Sequence, residues 1–452
     1  MKESIQTEEK EKNFLKTVCL IAIPVALQCM LQSSFSIIDQ IMIGKLGKVS
    51  IAAVGLAGKF SSIFSVVVAA VGAVAGIMIA QYIGAKDDEE VNRSFSVNLL
   101  ASVVIALLFI VMCVSIPEWI MRMYSKNTEV CVIAAGYLRM ISMTFLPVAG
   151  ATMLATMLRC MEHATLPLIA SIAAAIVNTG LNYVLIFGKF GFVQLGVSGA
   201  AIATVAAQFV NFLIMFAAFL IVHKREKRKF HFSAKLQKMN GKQYFVMLLP
   251  ILANEFLWSL GENVYAAIYG NLGTDACAAM TLTYSIQGLL IGALSGLAQA
   301  AGIIIGKELG KKEYDSAYNK SKKLVCYGLA GAVLLSVFLI MLKGFYVDIF
   351  NVEEPVKQTA REILIAFAVI SPVKVLNMIL SGGIIRSGGD TKIVMYMDII
   401  GTWGIGVPLG LLSAFVLKLP IPYVYFILSL EEAVRLMIAV VVFKRKKWMR
   451  SI

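Results

Sequence analysis

Apolar residues run in long blocks along nearly the whole chain, separated by short polar, Gly- and Lys-containing breaks. The blocks fall at about 14–43, 51–83, 94–116, 130–158, 165–188, 196–222, 243–270, 276–305, 324–342, 358–385, 393–417 and 421–443. A helix rising about 1.5 Å per residue crosses a hydrocarbon core of about 30 Å in some twenty residues, which most of these blocks supply. The alternating ten-residue pattern of a membrane barrel is absent. The expectation is an all-α polytopic membrane protein of twelve transmembrane helices. The first block is too long for the apolar part of a signal peptide and lacks a convincing small-x-small cleavage site, so it is read as a retained span.

The blocks repeat. Shifting the sequence by 226 residues brings Pro24 onto Pro250, Gly44 onto Gly270, Leu46-Gly47 onto Leu272-Gly273, Ala52-Ala53 onto Ala278-Ala279, Gly76 onto Gly302 and Gly84 onto Gly310. Alanines coincide easily by chance in apolar sequence. A proline and several glycines at one offset are what a repeated backbone shape retains. The predicted organisation is two pseudo-symmetric six-helix bundles around a central cleft. An N-terminal tail at 1–13 precedes an N-lobe at 14–222. A basic linker at 223–242 leads to a C-lobe at 243–443, and a basic tail at 444–452 closes the chain. An even number of spans per half starts both halves on the same side, the parallel-repeat arrangement of some transporters.

Composition then narrows the class. Hydrophobic residues make up 59% of the 452 and charged ones 15%, too apolar for a soluble core of this length. The net charge of +14 raises the question of nucleic acid, but its distribution answers it. Lys224, Arg225, Lys227, Arg228 and Lys229 crowd the linker, and Lys307, Lys311, Lys312, Lys320, Lys322 and Lys323 follow span eight. The alternate connections hold at most two basic residues each, such as Lys45 and Lys48, or Arg122 and Lys126. This is the positive-inside bias, so both termini are expected in the cytoplasm of a cell-membrane protein, with lipid rather than nucleic acid as the basic partner. The seven cysteines form no CxxC pair and the three histidines lack zinc-ligand spacing, so neither a disulfide framework nor a metal cofactor is implied. The phosphate-loop pattern GxxxxGK[ST] is also missing, which favours an ion gradient over ATP as the energy source.

Several segments resemble one family. Ile37-Ile38-Asp39-Gln40-Ile41-Met42-Ile43-Gly44-Lys45-Leu46-Gly47, followed by Ile51-Ala52-Ala53-Val54-Gly55-Leu56-Ala57, is similar to the first two spans of the multidrug and toxic compound extrusion (MATE) transporters. Gly199-Ala200-Ala201-Ile202-Ala203-Thr204 in span six resembles the same family. So does the turn Arg386-Ser387-Gly388-Gly389-Asp390-Thr391-Lys392 after span ten, with a weaker counterpart from Arg159 to Thr165. The likeness covers about Phe14 to Phe443. It implies an antiporter, not an enzyme, that expels amphipathic, mainly cationic organic compounds by alternating access, using inward Na⁺ or H⁺ and no cofactor. The working unit is expected to be a monomer.

Ionisable groups within spans are the functional candidates, because each costs several kcal/mol at mid-bilayer depth. Asp39 lies about 7 Å from the outer end of span one, fifteen residues after Pro24. Asn178 and Asn182, four residues apart, share a face of span five. Thr204 lies about 12 Å from the outer end of span six. The resemblance implies a cation site at Asp39, Asn178, Asn182 and Thr204, with Na⁺ as its only metal. Where the family often has a second carboxylate, this chain has Asn182.

The C-lobe departs in chemistry. The 226-residue shift takes Asp39 to Tyr265. Glu255 and Lys374 each lie about 18 Å from the cytoplasmic side, and this matched depth predicts a buried Glu255–Lys374 pair. Glu262, about 12 Å from the outer end, completes the set of residues expected to serve substrate or coupling there. Glu431 and Arg435, four apart, are expected to pair along their helix, with Asp398 near the start of span eleven at the cytoplasmic interface. The competing function on the same architecture is a flippase for a lipid-linked precursor. Such a protein favours a cleft rich in Arg and Lys, whereas Lys374 stands here among acidic residues.

Overall fold

The computed structural model describes residues 2–226, 231–232, 241–350 and 352–452. The described residues are almost entirely helical. The first half comprises α1 (Lys2–Gly44), α2 (Lys48–Gly84), α3 (Asp88–Ser115), the short α4 (Pro117–Arg122), α5 (Thr128–Ile141), α6 (Phe145–Cys160), α7 (Thr165–Phe187) and α8 (Val197–Arg225). A single 3₁₀ turn at Ser142–Thr144 joins α5 to α6, and together they make one span. The second half holds α9 (Gly241–Gly270), α10 (Thr274–Gly310), α11 (Tyr314–Asp348), α12 (Glu354–Asn377), α13 (Thr391–Ile399), α14 (Val407–Leu411), α15 (Ile421–Leu428) and α16 (Glu431–Lys444). Among the described residues, eleven helices are long and apolar enough to cross a membrane. The twelfth apolar block is present but broken by a turn at Ser429-Leu430, which starts α16 on Glu431 and Glu432. Carboxylates in a first helical turn face the positive end of the helix dipole, so the break suits the charges it carries. Hydropathy alone reads straight across it.

The chain divides into two compact units, one of Met30–Ile83 and Asp87–Asn240, the other of Met1–Cys29, Gly84–Lys86 and Gly241–Ile452. They are called the N-unit and the C-unit below. Most of the expected linker, at 227–230 and 233–240, lies outside the described residues. The first part of α1 packs within the C-unit. A side chain at Gly296 of α10 would collide with the Ala22 backbone, and Ser295 Oγ donates to Cys29 Sγ at 3.3 Å. Small residues let these helices approach closely, a packing that counting spans by halves does not reveal. Pro24 sits inside α1 just before the division, where it removes a backbone hydrogen bond and marks a bending point.

Each unit has its own apolar core. In the N-unit Phe64 of α2 stacks on Phe145 of α6 at 4.2 Å, with Phe109 of α3 packed against both rings. Gly199 explains its place in the Gly-Ala-Ala motif: a Cβ there would lie 2.7 Å from the Leu185 carbonyl, so only Gly lets α8 approach α7 this closely. In the C-unit Phe367, Leu364, Ile363 and Val424 are fully buried in one cluster.

The repeat extends beyond the first spans. Helix α7 begins at Thr165 and α13 at Thr391, again 226 residues apart. The two diverge afterwards. Helix α7 is continuous, whereas its counterpart passes through π-helical turns at Ile400–Gly406 and Leu412–Val416. Another π-helical segment, Met378–Ile385, follows α12. Wide turns of this kind are rare and concentrate at functional sites.

Candidate functional site

In the N-unit four helices converge on one carboxylate. Helix α1 supplies Asp39, α7 supplies Asn178 and Asn182, α8 supplies Thr204, and α5 adds Tyr137. Asn182 Nδ2 donates to Asp39 Oδ1 at 2.7 Å. The Asn178 amide, turned with its nitrogen toward Asp39, donates to the two carboxylate oxygens at 2.8 and 3.1 Å. Its other end lies 3.4 Å from Thr204 Oγ1, whose hydroxyl donates to the Ala200 carbonyl at 2.9 Å. The buried Tyr137 hydroxyl reaches the Thr204 side chain. The one-face spacing of Asn178 and Asn182 and the depth of Thr204 are thus realised in a single cluster. Tyr137 was not singled out in the sequence, since a lone tyrosine in an apolar block carries no spacing signal.

The cluster suits a hard cation or a proton. Asn182 Oδ1 is buried and has no hydrogen-bond partner. Turned the other way, the Asn178 amide sets its oxygen against the carboxylate and accepts from Asn182 Nδ2 at 3.1 Å. Two acceptors facing each other repel unless a positive charge stands between them. The donor set is therefore carboxylate, amide and hydroxyl oxygen, the hard ligands that alkali cations take.

In the C-unit a small cavity is lined by Glu262, Tyr269, Tyr284, Lys374, Tyr425 and Glu431, among others. Tyr425 Oη donates to Gln287 Oε1 at 3.0 Å, and Gln287 in turn donates to Thr283. Behind this wall lies a charge network. Arg435 pairs with Asp398, with Glu432 at 3.5 Å and with Glu431 at 3.9 Å. Glu432 also accepts from Asn377 Nδ2 at 2.8 Å and faces Lys374 Nζ at 3.9 Å.

One expectation is corrected here. Lys374 does not pair with Glu255: its acidic neighbour is Glu432, while Glu255 pairs with Arg386 at 3.4 Å. Matched depth fixed a level along the helices but not the direction each side chain faces. Counting back from Arg386 also crosses the π-helical Met378–Ile385 segment, where residues advance through a wider turn than the α-helical count assumes. Arg435 does pair with Glu431 along the helix, as the four-residue spacing predicts, and Asp398 and Glu432 are closer partners still, which brings Asp398 into this network. Glu262 and Lys374 do line one cavity, and Glu255 is not among its walls.

Gly401 and Gly406 make room for these groups. A Cβ at Gly401 would strike the Arg435 side chain, and one at Gly406 would strike the Tyr265 hydroxyl and the Glu431 carboxyl.

Repeated bundles of apolar helices, with carboxylates held inside them, define a multi-pass membrane transporter rather than an enzyme. The comparisons agree. The family model MatE matches twice, over residues 24–184 and 250–412, so its two matches start at Pro24 and Pro250. The chain belongs to the MatE family, the multidrug and toxic compound extrusion transporters. It is 23% identical over 431 residues to "Uncharacterized transporter YisQ" of Bacillus subtilis (strain 168), covering 93% of this chain and 92% of that one. It is 26% identical to "Probable multidrug resistance protein NorM" of Bacillus cereus (strain ATCC 10987 / NRS 248), covering 92% and 90%. Among solved structures, one described as "Crystal structure of MATE in complex with MaL6" superposes with a TM-score of 0.85 at 19% identity, covering 96% of both chains. A transporter of the MOP superfamily from Pyrococcus furiosus superposes at 0.83, also at 19% identity and 96% coverage. At these identities the solved structures speak to the fold.

Proposed function

We propose that this chain is a cation-coupled multidrug antiporter of the cell membrane, with both termini cytoplasmic. It exports amphipathic, mainly cationic organic compounds by alternating access, in exchange for Na⁺ or H⁺. The observation that carries this reading is the Asp39–Asn178–Asn182–Thr204 cluster, a half-buried carboxylate ringed by amides with one acceptor left unpartnered. With no cation, the Asn178 nitrogen faces Asp39 and neutralises part of its charge. When a cation arrives, the amide rotates, its oxygen joins Asp39, and its nitrogen turns to Thr204. The related "Probable multidrug resistance protein NorM" supports the substrate class by its name.

The test is efflux from proteoliposomes of purified protein loaded with ethidium. An imposed Na⁺ gradient at constant pH should drive export, and Asp39→Asn should abolish it at normal expression. A full response to a pH jump with none to Na⁺ assigns the proton instead. Full efflux by well-expressed Asp39→Asn, or lipid scrambling without ethidium export, would overturn the reading.

A further inference from the structure

The basic segment after α16 is folded back onto the C-unit. The backbone of Lys446 takes a left-handed turn, φ +57°, and its N–H donates to the Phe443 carbonyl at 3.1 Å. The turn brings Trp448 back against the helix, where it is fully buried and its Nε1 donates to the same carbonyl at 3.2 Å. Gly388, in the Arg386–Lys392 turn, makes room for it: a Cβ there would strike the Trp448 carbonyl. Arg450 then pairs with Asp390 at 3.6 Å. Tyr318 of α11, Phe443 and Trp448 form one stack, with neighbouring ring centres 4.9 and 5.7 Å apart.

Lys322 and Lys446 converge on that stack. Their ammonium groups each lie 4.5 Å from the centre of the Tyr318 ring, hence within twice that distance of one another. Both lysines are exposed, and neither has a carboxylate partner among the described residues. Glu308 is engaged with Lys311 and Lys320, Asp390 with Arg450, and Asp315, one turn before Tyr318, pairs with neither lysine. The ring attracts each cation, but two like charges gathered on one ring repel, and an anion between them removes the repulsion. The surface beside the pair says which anion. Cys326, Leu329, Val333, Val337 and Met341 follow Lys322 on its own face of α11, at spacings of three and four, and all are exposed. Met437 and Val441 of α16 are exposed in the same way, ahead of Lys444 and Arg445. Apolar stripes this open on membrane-crossing helices face acyl chains, so the anion that fits carries a hydrocarbon body.

We propose that Lys322, Lys446 and Tyr318 form a binding site for the headgroup of an anionic phospholipid. The phosphate seats between the two ammonium groups, and an acyl chain runs along the Cys326–Met341 face of α11. A zwitterionic lipid brings its own ammonium into the same positive field and is disfavoured. The headgroup ties the start of α11 to the segment after α16, and so holds Trp448 against the Gly388 turn. The inference rests on reading α11 as a membrane span, and not on the coupling ion or the exported compound.

The test titrates delipidated full-length protein in detergent with dioleoyl phosphatidylglycerol, dioleoyl phosphatidylcholine or inorganic phosphate. Bound lipid is counted by native mass spectrometry, and the melting temperature is followed in parallel. Phosphatidylglycerol should bind about tenfold more tightly than phosphatidylcholine and raise the melting temperature. Inorganic phosphate at millimolar concentration should neither stabilise the protein nor displace the lipid. Lys322→Gln and Lys446→Gln should each weaken phosphatidylglycerol binding about fivefold and leave phosphatidylcholine binding unchanged. Lys444→Gln combined with Lys447→Gln removes two charges from the same segment but none from the ring, and should weaken binding less than about twofold. Should a lysine variant fail to fold, the wild type answers by itself: phosphatidylglycerol with a diazirine near the headgroup end of one chain should label the α11 peptide that holds Cys326 and Leu329. Equal binding of the two lipids, displacement by inorganic phosphate, an equal loss from the Lys444 and Lys447 pair, or labelling that misses α11 would each overturn the proposal.

Discussion

The two units treat their charge in opposite ways. The N-unit cluster is built on one carboxylate, Asp39, surrounded by the neutral groups of Asn178, Asn182, Thr204 and Tyr137. The C-unit gathers Asp398, Glu431 and Glu432 around Arg435 and Lys374. A lone carboxylate among amides can exchange its counterion with little rearrangement, because an amide offers either an oxygen or a nitrogen by rotating. A network of paired charges is held fast, since freeing any member strands another in low dielectric. Two repeats of one backbone shape thus carry different charge chemistry, a carboxylate among neutral groups in one and a paired network in the other.

The sharpest break of this comparison is Asp39→Asn, which should bring gradient-driven efflux to background while purified yield and thermal stability stay near wild type. The opposite outcome is expected from Arg435→Met. It strands the acidic groups, so it should destabilise the protein by about 3–5 kcal/mol, seen as a large fall in melting temperature. Gly199→Ala, which pushes a methyl group into the Leu185 carbonyl, should cost about 1–3 kcal/mol in the same measurement. Asn178→Ala should raise the cation concentration needed for half-maximal efflux about tenfold, as expected for the loss of one strong hydrogen-bonding ligand. The smallest effect concerns Lys374. A double-mutant cycle on melting temperature with Glu432 should show coupling of about 0.5–1 kcal/mol, modest because Lys374 is 37% exposed and solvent screens the pair. The same cycle with Glu255 should be additive to within about 0.5 kcal/mol. Strong coupling of Lys374 to Glu255 would contradict the side-chain placement described here.

Much of this protein was legible from spacing alone. Apolar block lengths predicted helices, because the bilayer requires every backbone group to be satisfied within the span. A proline and glycines at a fixed offset revealed the repeat, because they record backbone shape rather than side-chain chemistry. Asn178 and Asn182 could be placed on one face because four residues make roughly one helical turn. Tertiary structure decided what faces what. Counting residues gives depth along a helix but not its rotation, and π-helical turns at Met378–Ile385 and Ile400–Gly406 break even that count. That is why Glu255 meets Arg386 and Lys374 meets Glu432. It is also why Tyr137 joined the N-unit cluster unannounced, and why the first part of α1 packs with the C-unit through Gly296. Glu431 stands beside Tyr265 for the same reason: contacts between helices distant in sequence depend on how side-chain volumes fit together, which no single helix encodes.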